Sequence, residues 1–435
     1  MATVNHAHQL LSGGGRTGRI LLLWYFICIF TVFSMQVGNQ LITCFYAFPA
    51  AVLMLQRNIR YAKSREFLPL FLLIAIALIS VVFGYGESYM GDRFKSWILF
   101  VYTISMAYAM RLELGRANNR DISWFTGWLL FGILAAAIFE VLGPLQPLSD
   151  AFRAWNSPRI YTANDRDLIL AGFLRPKVFT QEPSYAAIAV AVFSFAWYNS
   201  TTNRHKHFWI GLTTSIAIFL FRSPTSLIAI APIALLFLNR VFKKQGGRQR
   251  ALIIFFALFV FLVLSTVGYF VIISFLDARS NAGGSFGDQS LKVRLISPPR
   301  IAARIIGEAP FLGAGIGGRE AILPQILVVF SEMGIETSFL SASIEDSIPN
   351  AFWEHWIYFG GIGGVIGGAV ILFFFRQLAG SLGFVSILFL FLLFNSMGAY
   401  SAPRIWSFSI LAVISIGSQK RESVSTPIGQ VFHSA

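Results

Sequence analysis

"FLRPKVFTQEPSYAAIAVAVF" (residues 173–193) sets Arg175, Lys177, Glu182 and Pro183 directly against an apolar run that reads as a membrane span over 184–201. Charge on the threshold of an apolar helix has two physical uses. The amide-rich start of the helix near Pro183 attracts anions, and the cations beside it can meet an anionic group held at a membrane surface. The whole chain has the same apolar character. It has 435 residues, 56% of them hydrophobic and only 12% charged, with a strongly positive mean hydropathy. Ordinary soluble proteins are nearer half apolar and a quarter charged, so the composition predicts an all-α, polytopic membrane protein.

The net charge of +14 does not indicate nucleic acid, because the cations are spread between apolar segments rather than gathered on one domain. The two cysteines, Cys28 and Cys44, lie in apolar stretches with no metal-like spacing and read as packing residues. Arg16 and Arg19 precede a long apolar run with no small-residue cleavage site, which predicts a retained first helix.

A spanning helix needs roughly 20 apolar residues. Segments near that length fall at about 20–36, 39–55, 67–86, 96–111, 124–146, 184–201, 208–221, 225–239, 251–275, 351–375, 380–397 and 402–418, about twelve spans in one membrane domain over 1–435. With both termini cytoplasmic, the inward segments hold nineteen of the cations, among them Arg57, Arg60, Lys63, Arg65, Arg111 and Arg116. The short outward loops hold four, Arg93, Lys95, Arg222 and Arg404. The remainder lie in two long outward loops, 147–183 and 276–350, too long to be plain connections and rich in aliphatic and aromatic residues. Function is expected there.

In the second loop, "SPPRIAARIIGEAPFLGAGIGG" (297–318) predicts a short helix capped by Ser297, with Pro298 and Pro299 in its first turn and Gly307 at its exit. Arg300 and Arg304 then share one face and can chelate a diphosphate, with Arg294 just upstream. Alternatively these arginines bind lipid headgroups or pair with Glu308 and Glu320. Ile301 and Ile305 form a neighbouring face that could rest on the membrane surface. "GAGIGG" (313–318) matches G-x-G-x-x-G but lacks the strand and helix that a dinucleotide site needs. Gly313 and Gly315 instead suit a tight, backbone-exposing turn. Asp165-Arg166-Asp167 has a metal–nucleotide spacing, but in an outward loop where sugar nucleotides are not available. Glycines 360, 364 and 368 repeat every four residues and read as a helix-packing face. Glu140, Glu354 and His355 lie near outward helix ends rather than the midplane, which argues against a transmembrane ion relay.

Taken in order, "AGFLRPKVFTQEPSYAA" (171–187), "DQSLKVRL" (288–295), "PFLGAGIGG" (310–318) and "PNAFWEHWIYFGGIGG" (349–364) resemble the pattern of Wzy-type polysaccharide polymerases and the related O-antigen ligases. That pattern has an Arg-Gly-Glu-Pro-Ser-like stretch entering a helix, a loop arginine before a Pro-x-x-Gly-x-Gly turn, and an Asn-led helix with Gly-x-x-Gly. The resemblance covers about 170–370. The long loops follow the fifth and ninth spans, as in the twelve-helix polymerases, and Arg304 and Gly315 stand in the R-x10-G spacing of such loops.

The resemblance implies a glycosyltransferase of the bacterial inner membrane with its active site facing the periplasm, using no cofactor and no metal. Such enzymes move a growing glycan from undecaprenyl diphosphate onto the next lipid-linked repeat unit, in exopolysaccharide, capsule or O-antigen synthesis. The implied partners are the undecaprenyl-diphosphate-linked oligosaccharide, membrane lipids, and flippase and chain-length regulator proteins. On this reading Arg294, Glu182 and His355 are catalytic, and Arg175, Lys177, Arg300 and Arg304 hold the diphosphate. Glu182 could act as base or simply pair with an arginine at the helix start. A ligase is the nearest alternative, disfavoured because Pro349 rather than histidine precedes Asn350. A polysaccharide exporter or lipid-linked-sugar transporter is the alternative of another class.

Overall fold

The computed structural model describes residues 15–37, 40–156, 168, 173–243, 292–335, 348–380 and 382–425. The expected span at 251–275 and the Asp165–Asp167 pair lie outside these residues. Among the described residues the chain forms a bundle of α-helices, with a single β-hairpin. In order they are α1 (Arg16–Thr31), α2 (Phe48–Asn58), α3 (Ser64–Phe83), α4 (Met90–Leu114), α5 (Asn119–Val141), α6 (Gln146–Asn156) and α7 (Pro183–Ser200). After these come α8 (Lys206–Phe221), α9 (Ile230–Lys243), α10 (Ser297–Glu308), α11 (Leu323–Glu332), α12 (Ala351–Ala379), α13 (Phe384–Ser396) and α14 (Pro403–Ser425). Four of them, α3, α4, α5 and α12, are long and apolar enough to cross a membrane by themselves. This is a helical membrane protein.

At its centre stands α7, the helix that the threshold at 173–183 introduces. Every residue from Ala186 to Ser200 is buried, and α5, α8 and α14 pack around it. A helix apolar on all faces has to be surrounded. Its small residues, Ala186, Ala187, Ala189, Ala191 and Ala196, let neighbours approach closely, while Phe193 and Phe195 reach outward to Phe26, Phe408 and Phe389.

The expected span at 39–55 is replaced by shorter pieces. Strands β1 (Met35–Val37) and β2 (Gln40–Ile42) pair antiparallel with Met35 opposite Ile42, on either side of a Gly-Asn dipeptide of the kind that suits a hairpin turn. The 11-residue α2 follows with Pro49 in its first turn and rises only about 16 Å. Mean hydropathy cannot distinguish such a hairpin and half-helix from a span. In the first long loop α6 lies across the end of α1, where Asn156 accepts from Ser34 N–H at 2.8 Å and donates to the Val32 carbonyl at 3.0 Å.

The second long loop contains α10 over nearly its expected range, followed by a further helix, α11. Two details of α10 differ from expectation. Ser297 does not cap; its hydroxyl donates back to Val293 O at 3.1 Å, because a π-helical turn at Lys292–Ile296 already feeds the helix. Ile301 and Ile305 do not rest on a membrane surface but are buried against α12.

Acidic partners hold the end of the bundle where α3 begins and α4 finishes. Glu66 pairs with Arg111, Glu113 accepts from Asn58 at 2.6 Å and lies 3.9 Å from Arg57, and Asp121 lies 3.4 Å from Arg19. Arginines expected to mark the cytoplasmic side therefore also tie helices together. At the other end Glu140, near the end of α5, meets the threshold before α7, and the first turn of α14 meets that of α7.

Candidate active site

The site is built around the first turn of α7. Pro183 occupies N1, where its missing N–H costs nothing, and Glu182 is the extended residue before it, with φ −138° and ψ 150°. The Glu182 carboxylate does not cap the helix. It accepts from Ser184 Oγ at 3.0 Å and from Arg294 Nη2 at 2.8 Å. Two of the expected catalytic residues, 112 positions apart, are thus joined in an ion pair that bridges the two long loops. Arg294 is 45% exposed at the side chain and Glu182 27%, so both reach solvent. Arg294 sits in the π-helical turn before α10, a distortion frequent at functional positions.

Upstream, Val178 and Phe179 both have positive φ, 48° and 63°, a strained arrangement for such side chains. Glu140 holds it in place: its carboxylate accepts the Lys177 and Val178 N–H groups at 3.0 and 2.7 Å, while Phe179 N–H donates to Ser149 Oγ at 3.1 Å. Glu140, which the sequence places near an outward helix end, is the internal anion of a backbone nest. Arg175 and Lys177 line a small polar pocket with Glu140, Gln146, Asp150, Arg153 and Leu174. Lys177 is buried there.

Arg304 faces elsewhere. Its guanidinium lies 3.3 Å from Glu332 on α11 and 3.9 Å from Glu308, the pairing with Glu308 that the sequence left open. Arg300 is exposed one turn earlier on α10. These two arginines offer a charged surface beside the site rather than its interior.

The glycine turn and α12 explain each other. Gly360 breaks α12 with φ 68° and ψ −164°, a region essentially closed to other residues. The helix reverses there, so that His355 Nε2 lies 2.8 Å from Gly364 O and its ring packs on Gly367. In a straight helix residues 355 and 367 would stand about 18 Å apart. The span expected over 351–375 is therefore a folded-back half-helix and a full one. The severed backbone groups are satisfied by the loop at 310–315. Pro310 O accepts from Gly361 and Ile362 N–H and Phe311 O from Gly363 N–H, each at 2.9 Å. Ala314 and Gly315 N–H donate to Ile357 and Tyr358 O at 2.8 and 2.9 Å. A Cβ on Gly313 would stand 2.1 Å from Ile357 O. Gly315 has φ +76°, and a Cβ there would stand 2.3 Å from Ser80 O. Gly313 and Gly315 form the expected tight turn, and the Gly360 repeat marks a break as well as a packing face.

Gly360→Ala is expected to destabilise the protein by on the order of 3 kcal/mol, from backbone strain and from a Cβ 2.6 Å from both Ala309 O and Gly313 N. Thermal unfolding of the purified variant in detergent measures this. Wild-type stability would contradict the described break.

His355, expected among the catalytic residues, is buried with both ring nitrogens engaged by the protein. Gly364 O can only accept, so Nε2 carries the proton and Nδ1 accepts from Tyr400 OH at 3.3 Å. Burial raises the Tyr400 phenol pKa, which keeps that donor protonated. His355 thus ties the two halves of α12 to the turn between α13 and α14. Asn350 caps α12, accepting from Phe352 and Trp353 N–H at 3.1 and 3.2 Å.

Sequence reasoning missed three buried arginines. Arg319, next to the glycine turn, pairs with fully buried Glu354 and donates to Tyr358 OH at 2.9 Å. Arg93 donates to Gly86 O beside Gly315. Arg404, the second residue of α14, stacks over Tyr185 in the first turn of α7 at 3.8 Å. All three sit at loop–helix junctions, the one local signal of their burial in the sequence.

Beside the site an apolar furrow runs between the ends of α5 and α8, lined by Ile138, Val141, Leu142, Ile216, Phe219 and Leu220. Phe173 links it to the charged threshold. Its ring is 6.0 Å from that of Phe219, and the Arg222 guanidinium lies 5.1 Å over it.

Over residues 19–407 the chain matches the family model described as WcaD colanic acid polymerase. It belongs to that family. No curated protein and no solved structure matches the chain. The match includes the α7 threshold, the Glu182–Arg294 pair, the glycine turn, the broken helix and Arg404. Membership makes the protein a polysaccharide polymerase of the exopolysaccharide type, hence a glycosyltransferase of the membrane, consistent with the Wzy-type resemblance of its motifs.

Proposed function

We propose that this protein joins undecaprenyl-diphosphate-linked repeat units by glycosyl transfer at the periplasmic face of the bacterial inner membrane. The observation that carries this reading is the Glu182–Arg294 ion pair at the start of α7, where a carboxylate, a guanidinium and a positive helix end converge within reach of solvent. The furrow beside Phe173 supports a lipid-linked donor, since its apolar walls suit a polyprenyl tail while Arg222 lies where a headgroup would emerge.

In the proposed step the acceptor hydroxyl attacks the anomeric carbon of the donor glycan. The new C–O bond forms as the bond to the diphosphate breaks, and the electron pair leaves with undecaprenyl diphosphate. Arg294 exchanges Glu182 for diphosphate oxygens when the donor binds, with Arg175 and Lys177 adding positive charge from the adjoining pocket. Preorganised cations of this kind hold developing charge without reorganising during the reaction. The carboxylate released from Arg294 is then free to take the acceptor proton. Arg300 and Arg304 contribute to substrate approach from the exposed face of α10, and His355 positions the broken helix.

Glu182→Gln tests the carboxylate. It keeps a hydrogen-bond acceptor for Arg294 but cannot take a proton, so chain growth should slow by about 10²-fold or more at unchanged protein abundance. Polymer length distribution in cells and the rate of repeat addition by purified protein are the readouts. Normal growth in this variant would leave Glu182 only the task of holding Arg294.

A further inference from the structure

Among the described residues, buried arginines meet oxygen acceptors with one exception. Arg111 pairs with Glu66, Arg153 with Asp150 and Arg319 with Glu354, and Arg93 donates to Gly86 O. Arg404 is only 7% exposed; its Nε and Nη1 have no hydrogen-bond partner, as at Arg93 and Arg153, but unlike those two it has no oxygen acceptor or carboxylate among the described residues. Its contact is the face of Tyr185, 3.8 Å from the guanidinium carbon. A ring face returns only part of what removing a guanidinium from water costs.

The surroundings add positive charge rather than removing it. Tyr185 belongs to the first turn of the 18-residue α7, whose N-terminus has no side-chain cap and carries the positive end of the helix dipole. Arg294 approaches the same turn through Glu182. Arg404 through Tyr185 and Arg294 through Glu182 thus both reach the start of α7, and the Glu182 carboxylate is already shared with Arg294. Nε and Nη1 of Arg404 have no acceptor in the protein, so both remain as donors for phosphate oxygens.

We infer that Arg404 and the first turn of α7 form an inner anion site, whose occupant is the diphosphate of the lipid-linked substrate. The counter-charge of Arg404 arrives with the ligand. The existence of the site rests on the uncompensated guanidinium, whereas the identity of its occupant rests on the proposed function. Phosphate oxyanions could reach it from a prenyl diphosphate or from a phospholipid headgroup.

Replacing Arg404 should have the opposite sign from replacing a structural arginine. A structural arginine destabilises a protein when removed, whereas an uncompensated one relieves it when replaced by an apolar side chain of similar length. Purified protein in neutral detergent would be unfolded thermally with farnesyl diphosphate, inorganic pyrophosphate, farnesol or phosphatidylglycerol. Wild type should gain stability with increasing farnesyl diphosphate and pyrophosphate but not with farnesol. Arg404→Met should unfold at or above the wild-type temperature without ligand and lose the response. Unfolding below wild type, failure to fold, or an intact ligand response would overturn the inference. Arg404→Lys, which keeps charge but not the planar fork, should bind farnesyl diphosphate at least about tenfold more weakly, and an unchanged midpoint would also overturn it. An Arg404-dependent response to phosphatidylglycerol alone would overturn the diphosphate as occupant. An Arg404-dependent response to pyrophosphate in a protein that cannot extend glycans would uphold the anion site and sink the polymerase reading instead.

Discussion

Arg294→Ala should leave the protein folded and inserted while polymer collapses to single repeat units. The structural cost is small because Arg294 and Glu182 are both partly exposed, and such ion pairs contribute about 0–1 kcal/mol. The chemical cost is large. Losing one preorganised donor at developing negative charge lowers rates about 10²–10³-fold, enough to end chain growth before a second unit is added. Arg294→Lys should recover only part, since an ammonium cannot present two parallel N–H groups to a diphosphate. Gel ladders of cellular glycan, set beside protein abundance in the membrane fraction, separate the two effects. Normal chain lengths in Arg294→Ala would remove the pair from the mechanism.

The second large effect concerns stability. Glu354 is fully buried, pairs with Arg319 and accepts the Tyr400 N–H, so it joins the glycine turn, α12 and the turn before α14. Glu354→Gln keeps an acceptor for Tyr400 but leaves the Arg319 guanidinium without its carboxylate. Breaking a buried ion pair from one side costs about 3–5 kcal/mol, a large part of the stability of most domains. The variant should accumulate poorly and unfold at a much lower temperature. Arg319→Met combined with Glu354→Gln should recover much of the loss, because no charge then remains uncompensated. Additive losses in the double variant would show that the two side chains act independently.

How far the sequence reveals this molecule depends on the range of each interaction. Local signals were legible. The charged threshold at 173–183 marks the start of the central helix, "SPPRIAARIIGE" has its own start and stop signals, and "GAGIGG" without a strand before it reads as a tight turn. Interactions over long separations were not. Glu182 and Arg294 could be nominated separately, but nothing in either stretch says that they meet. In the sequence Arg404 is one more loop cation, because its stacking partner Tyr185 belongs to α7, more than two hundred positions earlier.

Hydropathy fails where an apolar segment bends. "FGGIGGVIGG" scores as continuous span, since glycine is nearly neutral on any transfer scale, and the reversal at Gly360 depends on backbone partners supplied by residues 310–315. The segment at 39–55 fails for the same reason, its hairpin and half-helix being as apolar as a true span. The neighbourhood of His355 in the chain shows only a residue near an outward helix end. Its contact with Gly364 O exists because the reversal brings the two within 2.8 Å.

Purified protein in lipid vesicles, supplied with lipid-linked repeat units and nothing else, tests the central claim most directly. A ladder of products, each longer by one repeat and still on the lipid diphosphate, is the predicted result. Transfer that occurs only when a second kind of acceptor is added, or no glycosyl transfer at all, would contradict it.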